Sequence, residues 1–267
     1  MKKAKEEYNR AIEFYQQIIN AFKADLTYYE LLIKKIKPKS ILELGCGSGR
    51  LFPCYLDKVE KVVGIDISEE MLRKASEVGK NSKTNIEVLL GDITNFSIRD
   101  KFDLVIISNS LLKHIKERSL RRQVLQNAHS HLSERGIISI DHASYLYYEP
   151  QNTDWIKAEQ SVIANWIPNR NNLLNGYEWN KTILGDEDII NWRYIEEGEV
   201  KFSVKFSTYI YKIKDLISDL DAVGLEYKKI YSDYLNSTKS LHEGNRFIAI
   251  VAPLIKTLTQ VENKLKY

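Results

Sequence analysis

Five short apolar runs, Ser40–Leu44, Lys61–Asp66, Ile86–Leu90, Phe102–Ser108 and Gly136–Asp141, succeed one another between residues 38 and 142. They are close to continuous, as in Leu104-Val105-Ile106-Ile107. A strand with one wet face alternates polar and apolar residues. An unbroken run suits a strand covered on both faces, as in a parallel sheet. Between the runs lie segments with helical spacing, Arg50–Leu56, Glu69–Val78 and Ser119–Leu132. Regular succession of strand and helix predicts a doubly wound α/β sheet. With 267 residues the chain can bury such a core as one domain with an elaboration.

The flanks read differently. Residues 1–37 form an expected helical cap, because Tyr8, Ile12, Tyr15, Ile18 and Ile19 recur at helical spacing, as do Leu31, Leu32, Ile33 and Ile36. Pro38 stops that pattern. Residues 38–142 are the core. Residues 143–208 read as an insert, helical or irregular to about residue 172 and strand-like from Tyr177. There Glu199-Val200-Lys201-Phe202-Ser203-Val204-Lys205-Phe206 alternates, the mark of an antiparallel strand with one solvated face. Residues 209–253 complete the core sheet with a helix, Ile213–Val223, and strands Leu225–Tyr231 and Arg246–Val251. Residues 254–267 read as a tail with a short helix.

Charge and cysteine usage exclude several classes. The formal net charge of +3 leaves no electrostatic footprint for nucleic acid. No apolar run approaches the roughly 18 residues of a membrane span, and no signal-peptide core follows the basic start. Cys46 and Cys54 alone allow neither a disulfide framework nor a four-ligand zinc site. The expectation is a cytoplasmic protein with no metal and no membrane or nucleic-acid partner; a homo-oligomer stays open. The insert stands apart, with ten acidic residues against six basic ones and all four tryptophans, Trp155, Trp166, Trp179 and Trp192.

The first run ends in Glu43-Leu44-Gly45-Cys46-Gly47-Ser48-Gly49. Glycines here let the backbone bend and approach a ligand closely. The spacing Gly-x-Gly-x-Gly is not the Gly-x-Gly-x-x-Gly that seats a pyrophosphate. Glu43, just ahead of it, would repel a pyrophosphate and suits a cationic ligand end. Asp66 and Asp92 follow the next two strands. Ligands of open α/β sheets bind at these carboxyl ends, which places Asp66 for ribose hydroxyls and Asp92 for an adenine amine.

Glu43–Gly49, Gly64-Ile65-Asp66-Ile67-Ser68, Gly91-Asp92-Ile93 and Phe102-Asp103-Leu104-Val105-Ile106 resemble the successive motifs of class I S-adenosylmethionine (SAM)-dependent methyltransferases. The resemblance covers residues 40–142. It implies a Rossmann-like sheet of seven strands, mostly parallel with the last one antiparallel, and the antiparallel insert as a lid. It also implies SAM as cofactor, S-adenosylhomocysteine as product, and a cofactor site of Glu43, Gly45, Cys46, Gly47, Gly49, Asp66, Ile67, Met71, Asp92, Ile93 and Ser108.

After the fourth strand the chain reads Ile107-Ser108-Asn109-Ser110-Leu111-Leu112-Lys113-His114-Ile115, not the Asn/Asp-Pro-Pro-Tyr/Phe of enzymes that methylate nucleic-acid bases. Ile140-Asp141-His142-Ala143-Ser144-Tyr145 is similar to a stretch of glycine N-methyltransferases, and the layout beyond it to aminosugar N,N-dimethyltransferases. Where the glycine enzymes carry an arginine for the substrate carboxylate, this chain has Ala143. The implied acceptor is a small molecule bearing an amine, with a small hydroxyl compound or a peptide in a groove as alternatives, and SAM binding without turnover as a third class. His114 is either the base or a cap of its turn; Tyr15 is either catalytic or packing. Ser110, His142 and Tyr145 are candidate substrate contacts, His142 with a packing role beside that one. The tryptophans either stack on substrate or hold the insert down. Cys46 needs only to be small, and Asp186-Glu187-Asp188 reads as a solvated turn.

Overall fold

The structure, a computed structural model, describes residues 23–143, 154–157, 174–234 and 246–254. They fall into two compact units. The larger holds helix α1 (Ala24–Ile36), strands β1 (Ser40–Leu44) and β2 (Lys61–Asp66), helix α2 (Glu69–Val78), strands β3 (Asn85–Leu90) and β4 (Phe102–Ile107), helix α3 (Arg118–Ser130) and strand β5 (Leu132–Ala143). The smaller holds β6 (Ile156–Lys157), β7 (Tyr177–Leu184), β8 (Glu187–Glu196) and β9 (Glu199–Tyr209). The chain then returns to the larger unit with α4 (Ile213–Ala222), β10 (Leu225–Tyr231) and β11 (Arg246–Pro253).

The larger unit is built on a seven-stranded sheet in the order β10-β11-β5-β4-β1-β2-β3. Strands β1 to β5 pair in parallel, and β11 runs antiparallel to both β5 and β10. The order reverses between β1 and β4, so the carboxyl ends of those two strands flank the crevice where such sheets bind ligands. The predicted unbroken burial holds for β1, β2 and β4, whose central residues are all buried. It does not hold for β3, an edge strand whose residues alternate between exposed and half-buried.

Two other expectations are corrected. The segment 50–56 is not an α-helix but a run of turns around one 3-10 turn, Phe52–Cys54. Pro53 has no N–H to give an i→i−4 bond, and the bonds Cys54 N–H to the Leu51 carbonyl (2.9 Å) and Tyr55 N–H to Phe52 (3.0 Å) close the tighter turn. The helix α2, by contrast, lies where its signals place it. The Ser68 hydroxyl accepts from the Met71 amide, and Glu69 and Glu70 occupy the positive first turn.

The smaller unit is an antiparallel sheet in the order β6-β7-β8-β9. Trp179 lies opposite Trp192, their ring centroids 6.2 Å apart, and with Leu174 they form a buried cluster against Ile190, Phe202, Val204 and Phe206. These two tryptophans therefore hold the sheet together. Trp155 instead stacks on the Arg193 guanidinium at 4.0 Å. Asp188 overturns the reading of 186–188 as a solvated turn. Glu187 already starts β8, the pleat turns Asp188 inward, and it is fully buried with Lys181 at 3.7 Å. Tyr8, Tyr15, Tyr145 and Trp166 lie outside the described residues. Among the described residues no helix is long and apolar enough to cross a membrane.

Candidate functional site

The glycine turn leaves β1 with Gly45, Gly47 and Gly49 all at positive φ (67°, 54° and 72°). At Gly45 a second constraint joins the first. A Cβ there would stand 2.7 Å from a methyl of Leu111, so the missing side chain lets the turn after β4 press against the cofactor turn. At Gly47 a Cβ would meet nothing within 4 Å, so the backbone faces open space. Gly45 and Cys46 amides donate to the Ile65 carbonyl at 2.8 and 3.1 Å, which ties the turn to β2. Cys46 is buried, and burial pushes its thiol pKa well up, leaving it unreactive.

Asp66 closes β2 and works first within the protein. Its Oδ2 accepts from the Gly47 amide at 2.8 Å and its Oδ1 from Ser68 at 2.9 Å. It fixes the glycine turn and the start of α2, and its remaining lone pairs are left for a ligand. Asp92 has its Oδ1 turned into an Asx turn by the Thr94 amide (2.8 Å) and hydroxyl (2.7 Å). Its other oxygen has no partner among the described residues. Beside these two acids Ile67 is 76% exposed and Leu90 62%, apolar side chains at the strand ends with no core to fill. Asn127, on α3, steadies this rim by donating to the carbonyls of Ile93 (3.1 Å) and Thr94 (2.9 Å). Nothing in its sequence surroundings marked it.

Glu43 lies deeper than its place in the motif suggests. It is buried, accepts from the Tyr55 hydroxyl, and burial pushes its pKa up to about 8 despite that bond and the nearby Arg50. Arg50, the residue after the third glycine, is held bidentately by the buried Asp25 of α1, one contact measuring 3.1 Å. Tyr29 is fully buried close to Asp141, Asp25 and Glu43, and its hydroxyl has no partner among the described residues. Asp25 could have been noticed as a lone acid on an apolar helical face; its pairing with Arg50 could not.

Beyond β4, Ser108 is buried and its carbonyl accepts from Leu111 at 3.1 Å, opening the 3-10 turn Leu111–His114. His114 ends that turn with a solvent-exposed side chain, and its ring makes no hydrogen bond among the described residues. The protein around it, with Lys113 beside it, lowers its pKa, though by less than full burial would because the side chain reaches solvent. Ser110 and His142 are both buried. The Ser110 hydroxyl accepts from the Ala143 amide at 2.9 Å.

His142 stacks on Phe247 at 5.0 Å and 4°, its Nδ1–H donating to the Ala143 carbonyl at 2.8 Å. Its Nε2 has no partner among the described residues. Burial pushes its pKa down to about 3. The unfolded chain thus takes up this proton first, and stability falls as pH drops below about 6.5. His142→Phe is expected to lose about 2 kcal/mol less than the wild type between pH 7 and pH 5. Thermal melts across that range check this; equal losses would refute it.

Comparison with known proteins agrees with this geometry. Residues 41–136, from β1 into β5, match the sequence model of a methyltransferase domain. The chain is 27% identical over 143 residues to the (S)-coclaurine N-methyltransferase of Papaver somniferum, covering 49% of this chain and 40% of that one. It spans about half the length, or less, of the curated relatives it matches. Its fold matches a SAM-dependent methyltransferase from Clostridium acetobutylicum with a TM-score of 0.72 at 20% identity, over 92% of this chain and 98% of the other. It also matches the SAM-bound amino pentose methyltransferase CalS10 of Micromonospora echinaspora, TM-score 0.62 at 15% identity, over 91% and 95%. Residues 41–136 thus match a methyltransferase domain, and the chain shares the fold of solved SAM-dependent methyltransferases.

Proposed function

We propose that the chain transfers a methyl group from SAM to an amine of a small molecule. The observation that carries this reading is the meeting, at one end of three adjacent strands, of the open glycine turn with Glu43, Asp66 and Asp92. The residues present fit the cofactor. Asp92 has an oxygen left for the adenine amine and Asp66 lone pairs left for ribose hydroxyls. Ile67 and Leu90 offer apolar surface to a purine, alongside Ile93 and Met71. The backbone of Gly45, Cys46, Gly47 and Gly49, with Glu43 and Ser108, lines the path for the methionyl end.

When bound, SAM supplies a methyl group on a sulfonium that is already a good leaving group. The chain's own work is then to align the acceptor and exclude water. His114, neutral at pH 7 because its pKa is lowered, can accept a hydrogen bond from the acceptor amine and orient its lone pair, while the same lowering makes it a weak base. Tyr15 and Tyr145 are further candidates outside the described residues. Residues 143–208 carry a surplus of acidic residues, which suits a cationic acceptor. The names of the two relatives above, one an N-methyltransferase and one acting on an amino sugar, favour nitrogen.

Calorimetric titration with S-adenosylhomocysteine should show one site, weakened roughly 10- to 100-fold in Asp66→Ala by loss of charge-assisted hydrogen bonds. SAM with a labelled methyl group, offered with a panel of small amines, alcohols and peptides, should label an amine. Absence of binding would overturn the reading of the site. Label found only in alcohols or peptides would overturn the acceptor class.

A further inference from the structure

The two residues after the Ser108 end of β4 are held in a conformation that L-residues avoid. Asn109 (φ 51°) and Ser110 (φ 60°) are consecutive non-glycine residues in the left-handed region. A pair like that persists only where its surroundings impose it. Asp141, fully buried near the tip of β5, supplies the restraint from both its backbone and its side chain. Its carbonyl accepts from the Ser110 amide at 3.0 Å and its Oδ2 from the Asn109 amide at 2.8 Å.

The same carboxylate is itself held. Arg246, the first residue of β11, donates from Nε to Asp141 Oδ1 at 2.8 Å, and the Tyr234 hydroxyl donates to Oδ2 at 2.6 Å. Arg246 also reaches the Ser110 hydroxyl from Nη2 at 3.3 Å, and its guanidinium stands 4.9 Å from the Tyr234 ring centre. On the far side of Ser110 the chain enters the turn Leu111–His114, whose Leu111 methyls fill the space left by Gly45. The turn carrying His114 is thus braced between Asp141 and the cofactor turn.

We infer that Asp141, paired with Arg246, is a positioning residue that sets where the Ser108–Ser110 loop and His114 stand relative to the cofactor. Its link to methyl transfer rests on the function proposed above; the clamp itself does not. It touches no reacting atom and acts through the backbone of residues 109 and 110. In a transfer governed by alignment, a shift of about 1 Å costs on the order of 100-fold in rate.

The test compares Asp141→Asn with Asp141→Asn carrying Asn109→Gly and Ser110→Gly, since glycine adopts positive φ without a clamp. Hydrogen exchange of the peptide covering 108–111 should quicken roughly tenfold or more in Asp141→Asn, with the remaining strands unchanged. Affinity for S-adenosylhomocysteine should stay within about threefold, because the carboxylates that hold it are untouched. With the acceptor found in the amine panel, kcat should fall on the order of 100-fold at nearly constant KM for SAM, and the added glycines should recover about tenfold of it. If Asp141→Asn does not fold, Tyr234→Phe removes one bond, keeps the ion pair, and should give the same local quickening at about threefold. Unchanged exchange at 108–111, or a rise spread evenly over the sheet with no rescue by glycine, overturns the inference. Failure of the wild type to bind S-adenosylhomocysteine would defeat the proposed function, while the exchange pattern still judges the clamp.

Discussion

Asp219→Ala is expected to lower folding stability by about 3–5 kcal/mol, the cost of leaving a buried charge without its partner. Asp219 is fully buried on α4 and gathers three arginines of α3 or its first turn. Arg118 and Arg122 donate from Nε to Oδ1 at 2.6 and 2.8 Å, Arg121 lies 3.8 Å from Oδ2, and the Tyr211 hydroxyl donates to Oδ2 at 2.9 Å. Burial alone would raise the carboxyl pKa, but these donors hold it below the ordinary range. The stability it contributes is therefore present above the unfolded pKa and lost as pH falls through the folded one.

The three arginines do not matter equally. Arg118 and Arg122 reach solvent and can rehydrate, whereas Arg121 is 2% exposed. Arg121 also donates to the carbonyls of Ile115 (2.7 Å) and Lys116 (2.8 Å), the residues just after His114. Removing Asp219 thus takes the carboxylate away from a buried guanidinium and loosens the segment behind the candidate base. For a domain of this size the loss should appear as a drop of about 6–20 °C in melting temperature. Asp221→Ala, at an exposed site two residues on, should stay within about 0.5 kcal/mol. A loss below about 1 kcal/mol in Asp219→Ala would show that the arginines find water or other acceptors, and the account of this cluster would fall.

Interactions of this kind explain where reading the chain stops. The limits of β1, β2, α2 and β10 coincide with the sequence expectation because local features set them. Apolar runs end at Gly45 and Asp66, and Ser68 caps α2. Where local signals mislead, a long-range contact or a missing N–H decides. Strand β5 begins at Leu132, four residues before the expected Gly136, because Leu132 pairs with Phe102 across the sheet although Ser133, Glu134 and Arg135 look like a turn. Asp188 is inside because Lys181 waits on the neighbouring strand. Glu43, Asp66 and Asp92 could be picked out as candidates because each stands near a strand end, within two residues of a glycine. The network behind them could not. Asp141 and Arg246 are 105 residues apart, and no spacing announces that they meet.

The second large effect concerns Glu43, whose position was legible and whose charge was not. With a pKa pushed up to about 8 by burial, Glu43 is protonated at neutral pH in the free protein. A cationic amino group arriving beside it would favour the carboxylate and pull that pKa down. Binding then expels a proton. Affinity for S-adenosylhomocysteine, which carries the same amino acid end as SAM, should rise about tenfold per pH unit between roughly pH 5.5 and 7.5. The rise should level off near pH 8, where the free protein has lost the proton and the ligand's own α-amino group begins to lose its charge. Glu43→Gln should flatten the profile and keep the affinity near the low-pH value of the wild type. Stability of the free protein supplies an independent sign. A carboxyl with a raised folded pKa contributes stability below its unfolded pKa and loses it as pH climbs through the folded value, so the wild type should lose more than Glu43→Gln between pH 5 and pH 8. Calorimetric titrations at several pH values, paired with thermal melts, read both. A flat affinity profile in the wild type, with the stability difference present, would mean that the amino group binds elsewhere and that Glu43 only braces Tyr55 beneath the turn.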